Sequence, residues 1–284
     1  MIRHALAALD RSTRCEDVLS CLACLRHLER VTLLHVRDER HDGRELPPEG
    51  QIFLRRCREH LEERGLRVDV RTPAGIPFDE ILHQAREVEA DLVALGKADS
   101  PRWKAFLLGE TELRVLQLAP LPVLVCRRTD RDLGEDLVLG LDFSTDSREA
   151  LEWLRKQASD SPGRFPRVEL LHIHEQRNID LLLHVVDRDR IEEIIDEEAR
   201  EMETMAQSLR DAGVREVTVR MRTGRVPDEM DIYLKERRPS LVVLGAQGTG
   251  RCVCGRVGKT VYQVAQVAPC PVLVVPSGRP ELPL

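Results

Sequence analysis

Aromatic side chains are scarce: two Trp, two Tyr and five Phe, or 3% of 284 residues. A nucleic-acid reader that stacks bases on aromatic platforms is therefore not expected. An excess of positive charge is missing too. Lys and Arg number 43 against 49 Asp and Glu, a formal charge of −6, which disfavours a phosphate-backbone partner. No apolar run approaches the ~18–20 residues that cross a bilayer. The opening MIRHALAALD runs straight into a strand-like stretch without the form of a signal peptide. The expectation is a cytoplasmic chain, with neither membrane nor nucleic acid as a partner. Eight Cys are present, but in that compartment they read as reduced thiols and not as a disulfide framework. Cys21 and Cys24 form a CxxC inside a helical pattern, with no second CxxC to complete four metal ligands.

What is present is globular composition, 42% hydrophobic and 32% charged. The length suits two domains of about 140 residues. Four blocks recur in the same order. HALAALD at 4–10 matches DLVLGLD at 136–142, and VTLLHV at 31–36 matches VELLHI at 168–173. DLVALG at 91–96 matches SLVVLG at 240–245, and APLPVLVCR at 119–127 matches APCPVLVVP at 268–276. The spacing between copies grows from 132 to 137 to 149 residues, so the second copy carries two insertions. One lies near 159–167, the other between the second and third blocks. The chain is a tandem duplication: a first domain over 1–130, a second over 135–276, and a mobile tail over 277–284.

Each copy alternates short β-branched runs with longer amphipathic stretches. Strands are predicted near 4–10, 31–36, 66–71, 91–96 and 121–126, with helices over 13–29, 50–64, 77–88 and 109–118. The second copy gives strands near 136–142, 168–174, 214–221, 240–245 and 270–275. Its helices fit 146–158, 190–212, 227–237 and 258–267. This alternation implies an α/β fold of two parallel five-stranded sheets, helices on both faces, reached by right-handed crossovers. With strand order 3-2-1-4-5, a ligand crevice opens at the C-terminal ends of the first and fourth strands. The fifth strands, PVLVCR and PVLVVP, are the expected meeting edges of an intramolecular pseudo-dimer, which leaves a homodimer open.

Unusual residues sit at those two strand ends. After the fourth strand of copy two come Gly245, Gly248 and Gly258, then Lys259 and Thr260 at a helix start. Glycine lets the backbone approach an anion, and the free N–H groups and dipole of a helix start favour phosphate. Gly258-Lys259-Thr260 is not a Walker loop, because the glycine required five residues earlier is Val253. Asp142 ends the first strand, where it can accept from ribose hydroxyls or a base amino group. Ser144, Thr145 and Asp146 behind it suit a helix cap. Cys252 and Cys254 lie inside the glycine loop, as small loop residues or as a redox gate. His35 and His172 share one repeat position and read as strand residues, since no orienting acid stands near them in sequence. The helix over 190–212 carries its apolar positions in one stripe facing the core. The Leu-rich stretch at 178–187 could pack on its own domain, cover the site or meet a partner.

G-x2-G-x9-G after a fourth strand, with VELLHI and LDFSTDS upstream, resembles the universal stress protein (UspA-like) family across nearly the whole chain. The resemblance implies five parallel strands per domain and a nucleotide-binding motif G-x2-G-x9-G-[ST], matched by Gly245, Gly248 and Gly258. Lys259 stands where the family has Ser or Thr, and Thr260 follows one place late. The resemblance also implies that Asp142 meets the ribose or base and the Ile173 backbone the adenine. ATP, with or without Mg2+, is the implied ligand. Copy one keeps Asp10, Val36, Gly96 and Gly109 as a degenerate site. Asp99 replaces its second glycine and Glu110 its hydroxyl residue. Each such carboxylate costs a phosphate at ~4 Å about 1–4 kcal/mol, so no triphosphate is expected there.

The leading expectation is a tandem stress-response protein using an adenine nucleotide in its second domain as a switch, with an unidentified protein partner. No catalytic residue and no metal ligand is assigned, and any ATP hydrolysis would be slow. The alternative is a non-enzymatic interaction protein with both nucleotide sites vestigial. An adenylating enzyme would want an SGGxDS-type loop after the first strand, and AALDRST and GLDFSTD lack it.

Overall fold

The structure, a computed structural model, describes residues 1–10, 15–37, 46–96, 109–176, 188–248 and 257–277. The first half runs β1 (His4–Ala8), α1 (Cys15–Ala23), β2 (Arg30–Leu34), α2 (Pro48–Glu62), β3 (Arg67–Arg71), α3 (Pro77–Glu87), β4 (Leu92–Leu95), α4 (Glu110–Leu118) and β5 (Val123–Val125). The second half runs β6 (Asp136–Leu141), α5 (Thr145–Asp160), β7 (Arg167–Glu175), α6 (Arg188–Asp211), β8 (Glu216–Gly224), α7 (Val226–Arg237), β9 (Leu241–Gly245), α8 (Lys259–Val267) and β10 (Val272–Val275). Asp99, Cys252, Cys254, the Leu-rich stretch 178–187 and tail residues 278–284 lie outside the described residues.

All ten strands join one sheet, in the order β3-β2-β1-β4-β5-β10-β9-β6-β7-β8. Within each half the order is 3-2-1-4-5 and every pairing is parallel. Helical crossovers cover both faces, so the inner strands are mostly apolar; β4, β6 and β9 are buried at every position. The apolar side chains fall into two layers, one on each face of the sheet.

Equivalent residues of the two copies do equivalent work. The Asp91 carboxylate accepts from the His4 backbone N–H at 2.9 Å, and Ser240 Oγ accepts from the Asp136 N–H at 2.9 Å. Each fastens the start of its first strand to the fourth. At the other end of the strands, His35 Nδ1 donates to Leu9 O at 2.9 Å and His172 Nδ1 to Leu141 O at 2.8 Å. The repeated histidine thus pins the second strand to the chain leaving the first.

The halves meet where β5 pairs antiparallel with β10: Val123↔Val274, Leu124↔Leu273 and Val125↔Val272. Leu124 and Leu273 hold the same place in their repeats and face each other, so the pseudo-two-fold passes through that pair. Arg127 fastens the seam. Buried at 9% exposure, it donates from Nη2 to Ala265 O at 2.5 Å and from Nη1 to Cys126 O at 2.8 Å. The Ala265 carbonyl belongs to the last turn of α8, where a cation also meets the negative helix end. The CxxC thiols serve the same junction: Cys21 Sγ donates to Arg127 O at 3.1 Å. Cys24 Sγ lies 3.9 Å from Thr129 O.

Two elements differ from the sequence reading. The helix predicted over 13–29 is α1, Cys15–Ala23. After Ala23 the chain turns, with His27 in the left-handed region at φ 66°, to bring Glu29 N–H onto Arg3 O at 2.9 Å and start β2 beside β1. In the second half β7 and β8 are each nine residues long, against five for β2 and β3, and they pair over nine positions. The extra length carries His174 and Glu175 past the end of β6.

Candidate functional site

A cavity of about 800 Å³ opens at the C-terminal ends of β6, β7 and β9. Its wall includes Asp142, Ile173, Gly245, Gly248, Gly258, Lys259 and Thr260, so all seven positions singled out in the second copy converge on one space. They come from four places: the tip of β6, the tip of β7, the loop leaving β9, and the first turn of α8.

The β6 tip is shaped by a turn. Phe143 adopts φ 59°, a left-handed conformation uncommon for an aromatic residue. The Asp142 Oδ1 then accepts from Ser144 N–H at 3.1 Å and from Ser144 Oγ at 2.5 Å. Ser144 in turn caps α5, its side chain accepting from the Ser147 N–H at 3.2 Å. Asp142 thus lines the cavity, and Ser144 is the one of the three polar residues behind it that caps the helix. Asp146, in the first turn, accepts from the Gln247 N–H at 2.8 Å and ties α5 to the glycine loop.

The glycines have separate physical reasons. A Cβ on Gly245 would stand 2.5 Å from the Asp146 carbonyl and 2.7 Å from Ser147 N, so only glycine lets β9 end against the start of α5. A Cβ on Gly248 would run into the Asp142 carboxylate. At Gly258 it would lie 3.3 Å from Gly248 N, a close but milder approach. Gly258 N-caps α8 and, being glycine, gives no side-chain cap to the first N–H groups of that helix. Lys259 is exposed, and Thr260 half-buried, at the same helix start.

The opposite wall was only partly visible in the sequence. Ile191, Ile194 and Ile195 at the start of α6 face the cavity, whereas Met202, Ala206 and Leu209 further along the stripe are core. His174 and Glu198 also line it, and no sequence pattern sets either apart. His174 Nδ1 lies 3.3 Å from Glu198 Oε2, and the His172 and His174 rings meet edge-on with centroids 4.5 Å apart. Burial, then the neighbouring His172, pushes the His174 pKa below its usual value, and burial raises that of Glu198.

The first half has a smaller counterpart of about 310 Å³, which includes Asp10, Val36, Gly96 and Gly109. Its helix start is acidic: Glu110 and Glu112 occupy the first turn of α4 and line the cavity. Negative side chains there offset the positive helix end that would otherwise attract phosphate.

Among the described residues no helix is long and apolar enough to cross a membrane. The family model for the universal stress protein family matches residues 1–127 and 135–276. A universal stress protein of Methanocaldococcus jannaschii is 31% identical over 87 residues, 31% of this chain and 51% of its own length. One from Bacillus subtilis is 31% identical over 83 residues, 29% of this chain and 56% of its own. The chain thus spans about half the length of these two curated relatives. A second Methanocaldococcus jannaschii universal stress protein is 26% identical over 156 residues, covering 45% of this chain and 96% of its own. Among solved structures, a universal stress protein from Archaeoglobus fulgidus aligns over 98% of this chain and 97% of its own, with TM-score 0.72 and 20% identity. That likeness shows the same fold along the whole chain. With both halves matched by the family model, the chain belongs to the universal stress protein family as a tandem, UspA-like member.

Proposed function

We propose that the second half binds ATP or another adenine nucleotide and that occupancy acts as a switch in a stress response. The observation that carries this reading is the convergence on one cavity of Asp142, the Gly245–Gly248 turn and the uncapped start of α8. Backbone N–H groups and the helix dipole suit phosphates. The Asp142 carboxylate suits ribose hydroxyls, and the Ile173 backbone at the β7 tip suits the base. A Mg2+ accompanying the phosphates would add positive charge. A side chain on Gly248 would displace the Asp142 carboxylate, so the bare backbone there keeps both open to a ligand.

Native mass spectrometry of freshly purified protein should find one adenine nucleotide per chain. Gly248→Asp, which imitates Asp99 of the first copy, should remove most ATP affinity in calorimetry, and Asp99→Asn should leave it near wild type. Intact ATP binding in Gly248→Asp would overturn the phosphate-loop assignment. The second reading, an interaction protein with both sites vestigial, is favoured by Lys259 in the motif's hydroxyl position. It would be sustained if neither co-purified nor added nucleotide binds.

A further inference from the structure

His172 and His174 stand two apart on β7, so both project to the same face of the sheet, while Ile173 packs into the opposite layer. Glu198 of α6 lies over that face. One nitrogen from each ring and one oxygen of the carboxylate all lie within 4.8 Å of one another. The hydrogen bonds leave these atoms available. Leu141 O can only accept, so His172 holds its proton on Nδ1 and carries its lone pair on Nε2. Metal-binding histidines are commonly held this way, by a carbonyl on the far nitrogen. The His174–Glu198 approach of 3.3 Å is not aligned as a hydrogen bond, and both His174 Nε2 and Glu198 Oε2 are buried with no hydrogen-bond partner. Buried polar atoms without partners are rare in proteins, and a cation held between the His174 ring and Glu198 would satisfy the buried carboxylate oxygen.

We propose that His172, His174 and Glu198 bind a divalent transition-metal ion of the zinc class in the wall of the second-half cavity. Two imidazole nitrogens and one carboxylate oxygen select such an ion over Mg2+ or Ca2+, which take oxygen ligands. The site is therefore distinct from any Mg2+ carried by nucleotide phosphates. Bonds of ~2.0–2.1 Å place tetrahedral ligands about 3.3 Å apart, so a small rotation of Glu198 and His174 closes the set. Three protein ligands leave a fourth position for water or a ligand oxygen from the cavity. The first half supplies an internal contrast. Arg37 occupies the position of His174, and its guanidinium donates to Thr72 O at 2.9 Å. A guanidinium cannot ligate a metal, so the site belongs to the second half alone.

The test is a titration of the full chain, stripped with a chelator and free of nucleotide, with Co2+ followed by visible absorption, then with Zn2+ in competition. The expected result is one Co2+ per chain, displaced by Zn2+ but not by excess Mg2+, without a thiolate-to-cobalt band in the near ultraviolet. Glu198→Gln and His174→Arg should each weaken binding by more than about tenfold, since even the outer partners of a metal site act on that scale. Circular dichroism and melting curves should show both variants folded. No uptake by the wild type, a thiolate band, or unchanged affinity in folded Glu198→Gln would each overturn the proposal. Should either variant fail to fold, the wild-type stoichiometry and spectrum still decide. With no nucleotide present, the outcome is independent of the proposed ATP site.

Discussion

Lys259 is the residue on which the second-half site departs most from its family pattern. Its backbone opens α8 and the residue lines the cavity; an ammonium offers three donors and suits a phosphate as a point charge. A charged hydrogen bond of this kind contributes roughly 1.5–3 kcal/mol, so Lys259→Ala should weaken ATP binding about ten- to a hundredfold by calorimetry. Adenosine, with no phosphate to meet, should lose much less. Equal losses for both would mean that the substitution disturbs the fold, and no loss for either would return Lys259 to the solvated surface.

His4 gives a prediction of a different kind at the same scale. Its Nε2 lies 2.9 Å from Thr32 Oγ1 in the core, and burial, then the Arg30 charge, holds its pKa below 6.5. The folded protein therefore resists protonating a ring that the unfolded chain protonates freely. Its contribution to stability is complete above pH 6.5 and declines as pH falls from there through the folded pKa. Urea midpoints measured between neutral pH and pH 5 should fall more steeply for the wild type than for His4→Gln, which cannot titrate. Parallel slopes would show that His4 is not the group responsible.

Among the elements, α6 has two jobs along one apolar stripe. Met202, Ala206 and Leu209 are fully buried in the core, while Ile194 and Ile195, nearer its start, are half-buried at the cavity. Met202→Ala should cost about 2–5 kcal/mol of stability, the usual range for emptying a core position. Ile194→Ala should cost clearly less in unfolding and show its effect on nucleotide binding instead. Equal destabilisation by the two would mean that the first turns of α6 are core as well.

The same helix shows where sequence reading stopped. Its stripe was legible, because a 3.6-residue apolar period survives any alignment error. Glu198 was not, because it is one acid among many on a charged helix back. Only the packing of α6 across β7 tells it from Glu197 or Glu201. The strands were legible for the opposite reason: burial on both faces leaves continuous runs such as LVAL and LVVLG that admit few other readings. The glycine spacing announced the crevice, but the reason for Gly245 did not show. It answers to the backbone of α5, a contact 99 residues away in sequence at its nearest atom, Asp146. The end of α1 was misjudged because the apolar pattern continues through Leu25 and Leu28, which pack into the core from a turn and not from a helix.

At the scale of the whole molecule, the single sheet depends on a three-pair seam. The first half covers the β10 edge, and Arg127 holds the end of α8 from across the junction. The second half expressed alone, residues 135–276, would expose that edge and lose Arg127. It should self-associate through β10, running as a dimer or larger species in size-exclusion chromatography at concentrations where the full chain keeps its own size. A monomeric isolated half would mean that the seam edge needs no cover.

Because β5 runs against β10 while every other pairing is parallel, the strand tips of the two halves point to opposite edges of the sheet. The two crevices therefore face away from each other. The seam is built from strand flanks and the crevices from strand tips, so mutations that ruin one crevice leave the join and the other crevice untouched. Duplication has in this way given one copy freedom to drift. Glu110 and Glu112 turn the helix start of the first-half crevice acidic without costing the chain its fold. A partner that reads the proposed nucleotide in the second half would approach from a side the first half cannot obstruct.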